Sequence, residues 1–255
     1  TNRDRMRQRQ ILGLLLFVLL LGAGSSWAQT ADRQQVYEAY VKRDFNSWKR
    51  VVDRMHAEPN KSYARIAELV EYEYGYIAGC ILRDRNNEAE QYLKRYKAHV
   101  DYLLECDYKT AEMTAYLSAY YSYRVGISWL RAPLVGNKCI SLMNRSIKMD
   151  QQNAIGLIQR GNAQYFAPLF FKGDAKRGAI DYLLRAERAM VSQGKSKGSW
   201  LYLSLLIQIA ECYVGVGEQT QAEVWYRKAI ALEPRLTWAL DSKYLESKQK
   251  HGQPN

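Results

Sequence analysis

The chain has 255 residues, 47% of them hydrophobic and 25% charged, with a formal net charge of +11. That balance excludes a disordered polymer, and the length suits one sizeable domain rather than two. The basic excess leaves nucleic acid, anionic surfaces and acidic partners to be weighed against a plain solvated exterior.

The first predicted element is a secretory signal peptide. Arg3, Arg5, Arg7 and Arg9 precede an apolar run from Ile11 to Leu21, and Ser26-Trp27-Ala28 offers small residues two apart. The run falls short of the ~20 apolar residues a membrane-spanning helix requires, so cleavage after Ala28 and export to the periplasm are expected. Met6 is the expected start, and residues 1–28 stand outside the fold. Nucleic acid then drops out as a partner. Basic pairs such as Lys42/Arg43, Lys49/Arg50, Lys94/Arg95 and Lys176/Arg177 are spaced as on helix exteriors. They read as a solvated face that leaves peripheral contact with anionic lipid, a glycan or an acidic protein open.

Residues 29–250 read as one helical repeat domain. No alternating β-branched run appears, and apolar residues recur at three and four, as in Ile180, Leu183, Leu184 and Met190 or Leu201, Leu205, Ile209 and Cys212. Short polar breaks divide the pattern into about five helical hairpins. Their second helices share a spacing of four and seven. Ser47, Val51 and Arg54 carry it most loosely, then Ala89, Leu93 and Tyr96, then Cys139, Met143 and Ser146, then Ala179, Leu183 and Ala186.

Residues 126–134 and 161–169 align without a gap, each ending in Ala-Pro-Leu. The residue before proline avoids helical geometry, so each segment is expected to end the first helix of its hairpin and form an elbow. Gly136 and Gly173 follow, and both are expected to precede the next helix. Gly126 and Gly161 cost helix stability, about 1 kcal/mol relative to alanine, and are expected to mark close helix crossings.

Near the C-terminus, Ala210, Tyr213, Gly217, Ala222, Tyr226, Ala229 and Pro234 run in the order small, aromatic, glycine, alanine, aromatic, alanine, proline. This resembles a nearly complete tetratricopeptide (TPR) unit. Leu236, Leu240 and Tyr244 would then be the inward face of a capping helix over 236–249, with 251–255 a disordered tail. The resemblance implies an all-α, right-handed α-solenoid of about five degenerate TPR-like hairpins with a C-terminal capping helix. Over most of residues 33–245 the aromatic first helix, the elbow, Gly173-Asp174 and the terminal unit are together similar to a group of exported TPR proteins of Bacteroidetes. That implies a fold and a compartment but no activity. The elbow followed by a glycine turn also resembles the TPR component of some periplasmic TRAP transporters.

Catalytic chemistry finds little support. His56, His99 and His251 lie far apart in sequence with no cysteine or carboxylate at ligand spacing, so no metal site is expected. Gly194-Lys195-Ser196 lacks the leading glycine of a phosphate loop and follows a helix. No Gly-x-Ser-x-Gly elbow and no prominent carboxylate pair is present, so neither an enzyme nor a cofactor is expected. Cys80, Cys106, Cys139 and Cys212 fall at small or mismatched helix positions and are expected to be free thiols.

The 20 tyrosines are more informative. Many gather on first helices, where packing within the hairpin core is the plain reading. TPR first helices line a concave surface, however, and there Tyr72, Tyr76, Tyr120, Tyr123 and Tyr165 would offer area and hydroxyls to a partner. Arg124, Arg131, Asn162, Gln208 and Glu211 are the polar members of the same helices. The function expected is a periplasmic scaffold that binds a protein or extended peptide in its groove, within an envelope or transport assembly. The alternative is a small-ligand-binding component of a periplasmic transport system. An open groove favours the first, and an enclosed aromatic pocket the second.

Overall fold

A computed structural model describes residues 31–171, 173–236 and 238–241. The signal segment, Tyr244 and the tail at 251–255 lie outside the described residues, as does most of the capping helix. Among the described residues the fold is all-α. In chain order come α1 (31–42), α2 (Phe45–Ala57), α3 (Tyr63–Ile81), α4 (Asn86–Glu105) and α5 (Thr110–Ile127). After them come α6 (Ala132–Met149), α7 (Ala154–Phe166), α8 (Ala175–Ser192), α9 (Trp200–Gly215), α10 (Gln219–Leu232) and the short α11 (Trp238–Asp241).

Local sequence sets the starts of these helices. Asp44, Ser62, Asn153, Asp174 and Ser199 each accept a hydrogen bond from the backbone amide three residues on, satisfying a donor that the first turn cannot. Pro133 sits in the first turn of α6, where its missing N–H costs nothing. Gly217, with φ +82°, turns the chain from α9 into α10 in a conformation that side chains disfavour.

Helices pack as consecutive pairs, α3 with α4, α5 with α6, α7 with α8 and α9 with α10, and the first helices α3, α5 and α7 also touch one another in series. The four-and-seven spacing is the buried seam of the second helices. Ala89, Tyr96, Met143, Ser146, Ala179, Leu183, Ala186, Ala222 and Ala229 are all fully buried. In the loosest copy Val51 is buried while Arg54 turns outward to pair with Asp32 of α1.

Two expectations about glycine and the elbows need correction. A Cβ on Gly161 would stand 2.7 Å from Leu183 Cγ and 3.1 Å from the Ala179 carbonyl, so this glycine does mark a close crossing. One on Gly126 would meet only Ile81, at 3.6 Å, which is ordinary contact. The first elbow is a 3-10 turn over Trp129–Arg131, and its Ala132-Pro133-Leu134 begins α6 instead of ending α5. Gly136 therefore lies inside α6, whereas Gly173, with φ +73°, precedes α8 as expected. The same tripeptide differs in the two places because proline is tolerated both in a first helical turn and in a 3-10 turn such as Pro168–Phe170.

The first described helix meets the last described residues. Arg33 donates to the carbonyls of Lys197 (2.9 Å) and Gly198 (3.2 Å), and Tyr37 Oη donates to Glu233 at 3.1 Å. Arg235 pairs with Glu38 at 2.8 Å, and Trp238 Nε1 donates to the Val41 carbonyl at 3.0 Å. The Tyr40 ring lies 6.0 Å from Trp200 and 5.8 Å from Trp238. Helix α1 thus packs against the start of α9 and the segment that follows α10.

Candidate functional site: an apolar cavity

Residues of α1, α2, α3, α5, α6, α7 and α9 line a cavity of about 1050 Å³. Aromatic rings from four helices make its floor, with Trp48 4.8 Å from Trp200, Tyr40 6.3 Å from Trp48 and Tyr74 6.4 Å from Trp200. Gly75 is what lets the two indoles meet, since a Cβ there would lie 2.5 Å from Trp48 Cζ2 and 2.6 Å from Trp200 Cη2. Tyr74 is held at both ends: Gln159 Nε2 donates to its hydroxyl at 2.9 Å, and Tyr123 Oη donates to its carbonyl at 2.9 Å. The wall is mostly apolar, with a few polar groups set into it, the usual composition of a ligand pocket.

Of the ten residues singled out from sequence, Tyr123, Asn162, Tyr165, Gln208 and Glu211 line this cavity. Tyr165 Oη donates to the Glu211 carbonyl at 3.3 Å, its ring lying over Gly215. The other five lie elsewhere. Tyr76 is core, fully buried, stacked 4.4 Å from Phe45 and bonded to Glu88. Tyr72 is buried and donates to Glu68 at 2.8 Å beside a separate cleft. Tyr120 packs on Tyr121 beneath Lys97 and Arg124, and Arg131 pairs with Glu90 at 2.7 Å. Spacing assigned all of these to inner helices, but a helix has several faces, and only one of them reaches the cavity.

Sequence reasoning missed the aromatic floor. The one available signal was α9, which is apolar on every side: Trp200, Leu201, Tyr202, Leu203, Leu205 and Leu206 are consecutively or nearly consecutively buried. A helix without a polar face is surrounded by protein.

Two polar groups at this site lack partners. Asn162 Oδ1 and Trp200 Nε1 are buried and make no hydrogen bond within the protein, an acceptor and a donor on residues that both line the cavity. Leaving such groups unpaired costs about 1–3 kcal/mol each. Arg43 and Arg83, at the tips of the first two hairpins, also line it, together with the exposed Leu82.

A smaller cleft of about 310 Å³ meets the cavity at Trp200 and Leu201. Glu68, Glu71 and Glu112 converge there with Arg33 and Lys195. Burial, reinforced by the Glu112 charge, pushes the Glu71 carboxyl up to about 7. No carboxylate pair stood out in the sequence because Glu71 and Glu112 come from different helices.

The histidines also differ from expectation. His56 and His99 face each other with ring centroids 5.3 Å apart, and Glu73 joins them so that their ligand atoms lie within 4.8 Å of one another. Glu73 is fully buried, accepts from or shares a proton with His99 Nδ1 at 2.8 Å, and has Arg95 Nε 3.6 Å from its other oxygen. A guanidinium beside the carboxylate competes with a metal ion for it, so the arrangement reads as charge balance for a buried acid. The four cysteines are free thiols, three of them buried, and burial pushes Cys80 up to about 11 and Cys212 up to about 12, away from the reactive thiolate.

No family model and no curated protein matches the chain.

Proposed function

We propose that this chain is an exported, periplasmic binding protein of TPR type, a right-handed helical solenoid closed by its own first helix, that holds an elongated apolar ligand in the central cavity. The cavity itself, about 1050 Å³ with largely apolar walls, is the observation that carries the reading. Its lining is largely apolar and aromatic with few polar groups, which favours the ligand-binding alternative over the scaffold. Its TPR character is supported by Ala210 and Ala222 buried where α9 and α10 cross, with Gly217 at the turn between them. Arg43 and Arg83 at the rim suit a ligand with one anionic end, so the class proposed is a fatty-acyl compound.

The test is a fluorescence titration with cis-parinaric acid, an 18-carbon fluorescent fatty acid. Saturable binding to the parent chain, weakened in Ala163→Trp with an unchanged melting temperature, is the expected result, because Ala163 lines the cavity and an indole there would obstruct it. Equal binding by both proteins would place the fatty acid elsewhere.

A second reading has an observation of its own. The unpaired acceptor of Asn162 and donor of Trp200 match the donor and acceptor of a peptide backbone, which favours an extended apolar stretch of a partner polypeptide. Apolar peptides displacing parinaric acid more strongly than fatty acids do would support it.

A further inference from the structure

The two elbows carry an exposed apolar rim, of which only Phe166 lines the cavity. Trp129, Leu130 and Leu134 on the first are 75%, 66% and 82% exposed, and Phe166 and Leu169 on the second are 71% and 97% exposed. Leu82, at the tip of the second hairpin, adds another 84%. Side chains of this kind scatter singly over ordinary surfaces. Here they gather on the hairpin tips whose neighbours Ala132, Gly136, Ala167 and Phe171 border one cavity.

Charge says what such a rim meets. Between Met113 and Gly173 the sequence has seven lysines and arginines and only one acid, Asp150. Lys138, Arg145 and Lys148 lie exposed along α6, at spacings from Leu134 that put them on the same face of that helix. Glu90 is engaged with Arg131 of the first elbow at 2.7 Å, and Asp174, which follows the second, lies 3.7 Å from Arg177. Exposed tryptophan and leucine at loop tips, backed by uncompensated bases, match the two layers of an anionic bilayer: hydrocarbon at the boundary and phosphate above it.

We infer that the elbow edge docks on an anionic lipid surface, with Trp129, Leu134 and Leu169 entering the acyl boundary and Lys138, Arg145 and Lys148 contacting phosphates. Such docking would turn the cavity's rim toward the bilayer. It stands on the rim and its charge, and does not depend on what the cavity holds.

The apolar run at 11–21 could itself bind lipid, so the test must report on the elbows. Full-length chain is mixed with vesicles of phosphatidylglycerol and phosphatidylethanolamine containing brominated acyl chains, which quench tryptophan on contact. The parent should be quenched more than Trp129→Phe, and the difference should vanish with phosphatidylcholine vesicles. Leu134→Ser/Leu169→Ser should abolish the Trp129 component and weaken vesicle partitioning at least ~10-fold, with an unchanged melting temperature. Equal quenching of parent and Trp129→Phe overturns the inference. So does a parent that sediments as an oligomer and a double variant that sediments as a monomer, because the rim would then be a contact between copies.

Discussion

At the residue scale the inner site depends on side chains whose roles come from distant parts of the chain. Gly75 has no turn to make; it is small because Trp48 and Trp200 converge on it, and no spacing rule links those three positions. Asn162 and Tyr165 were legible because they sit on a first helix beside a recognisable elbow, whereas Tyr76 has the same spacing credentials and is core. Glu71 yields a prediction with a definite sign. Its folded-state carboxyl is raised to about 7, above the unfolded value of 4.5. Below the unfolded value both states keep the proton. Between the two values only the folded state keeps it, so this residue's contribution to stability falls as the pH rises, levelling above about 7. Glu71→Gln should therefore match the parent near pH 4 and exceed it by about 1–3 kcal/mol at pH 8, measured by denaturant unfolding at both values. A constant difference would mean that Glu71 titrates normally.

At the element scale most of the fold was legible. Small residues at four and seven located the seams of the second helices, whereas the capping residues Asp44, Ser62 and Asn153 that set helix starts were not singled out. The elbows were found but their boundaries were misplaced, since Pro133 is compatible both with ending a helix and with opening one. The packing of α1 on the last pair was not legible, because repeat reasoning assigns contacts only between sequence neighbours. That packing rests partly on Trp238, which bonds to the Val41 carbonyl and meets the Tyr40 ring. Trp238→Ala should loosen α1 without unfolding the pairs at its back. In hydrogen exchange, amides of 31–42 should exchange at least ~10-fold faster while those of α5 and α7 keep their protection. Uniform acceleration across all helices would show that α1 is not a separable closing element.

For the whole molecule, the proposal is that the cavity lined by helices from both halves of the chain takes an apolar ligand. Composition and charge were silent on this, and the pairwise repeat pattern predicted a groove. Tyr40 of α1 lines the cavity together with residues of α7 and α9, positions far apart in the sequence. The most direct measurement is anomalous diffraction from crystals grown with a fatty acid brominated along its chain. The account predicts a bromine peak inside the cavity, among Tyr40, Tyr74, Asn162 and Trp200. Bromine peaks confined to the outer surface, or none at a concentration that saturates parinaric acid binding, would contradict it.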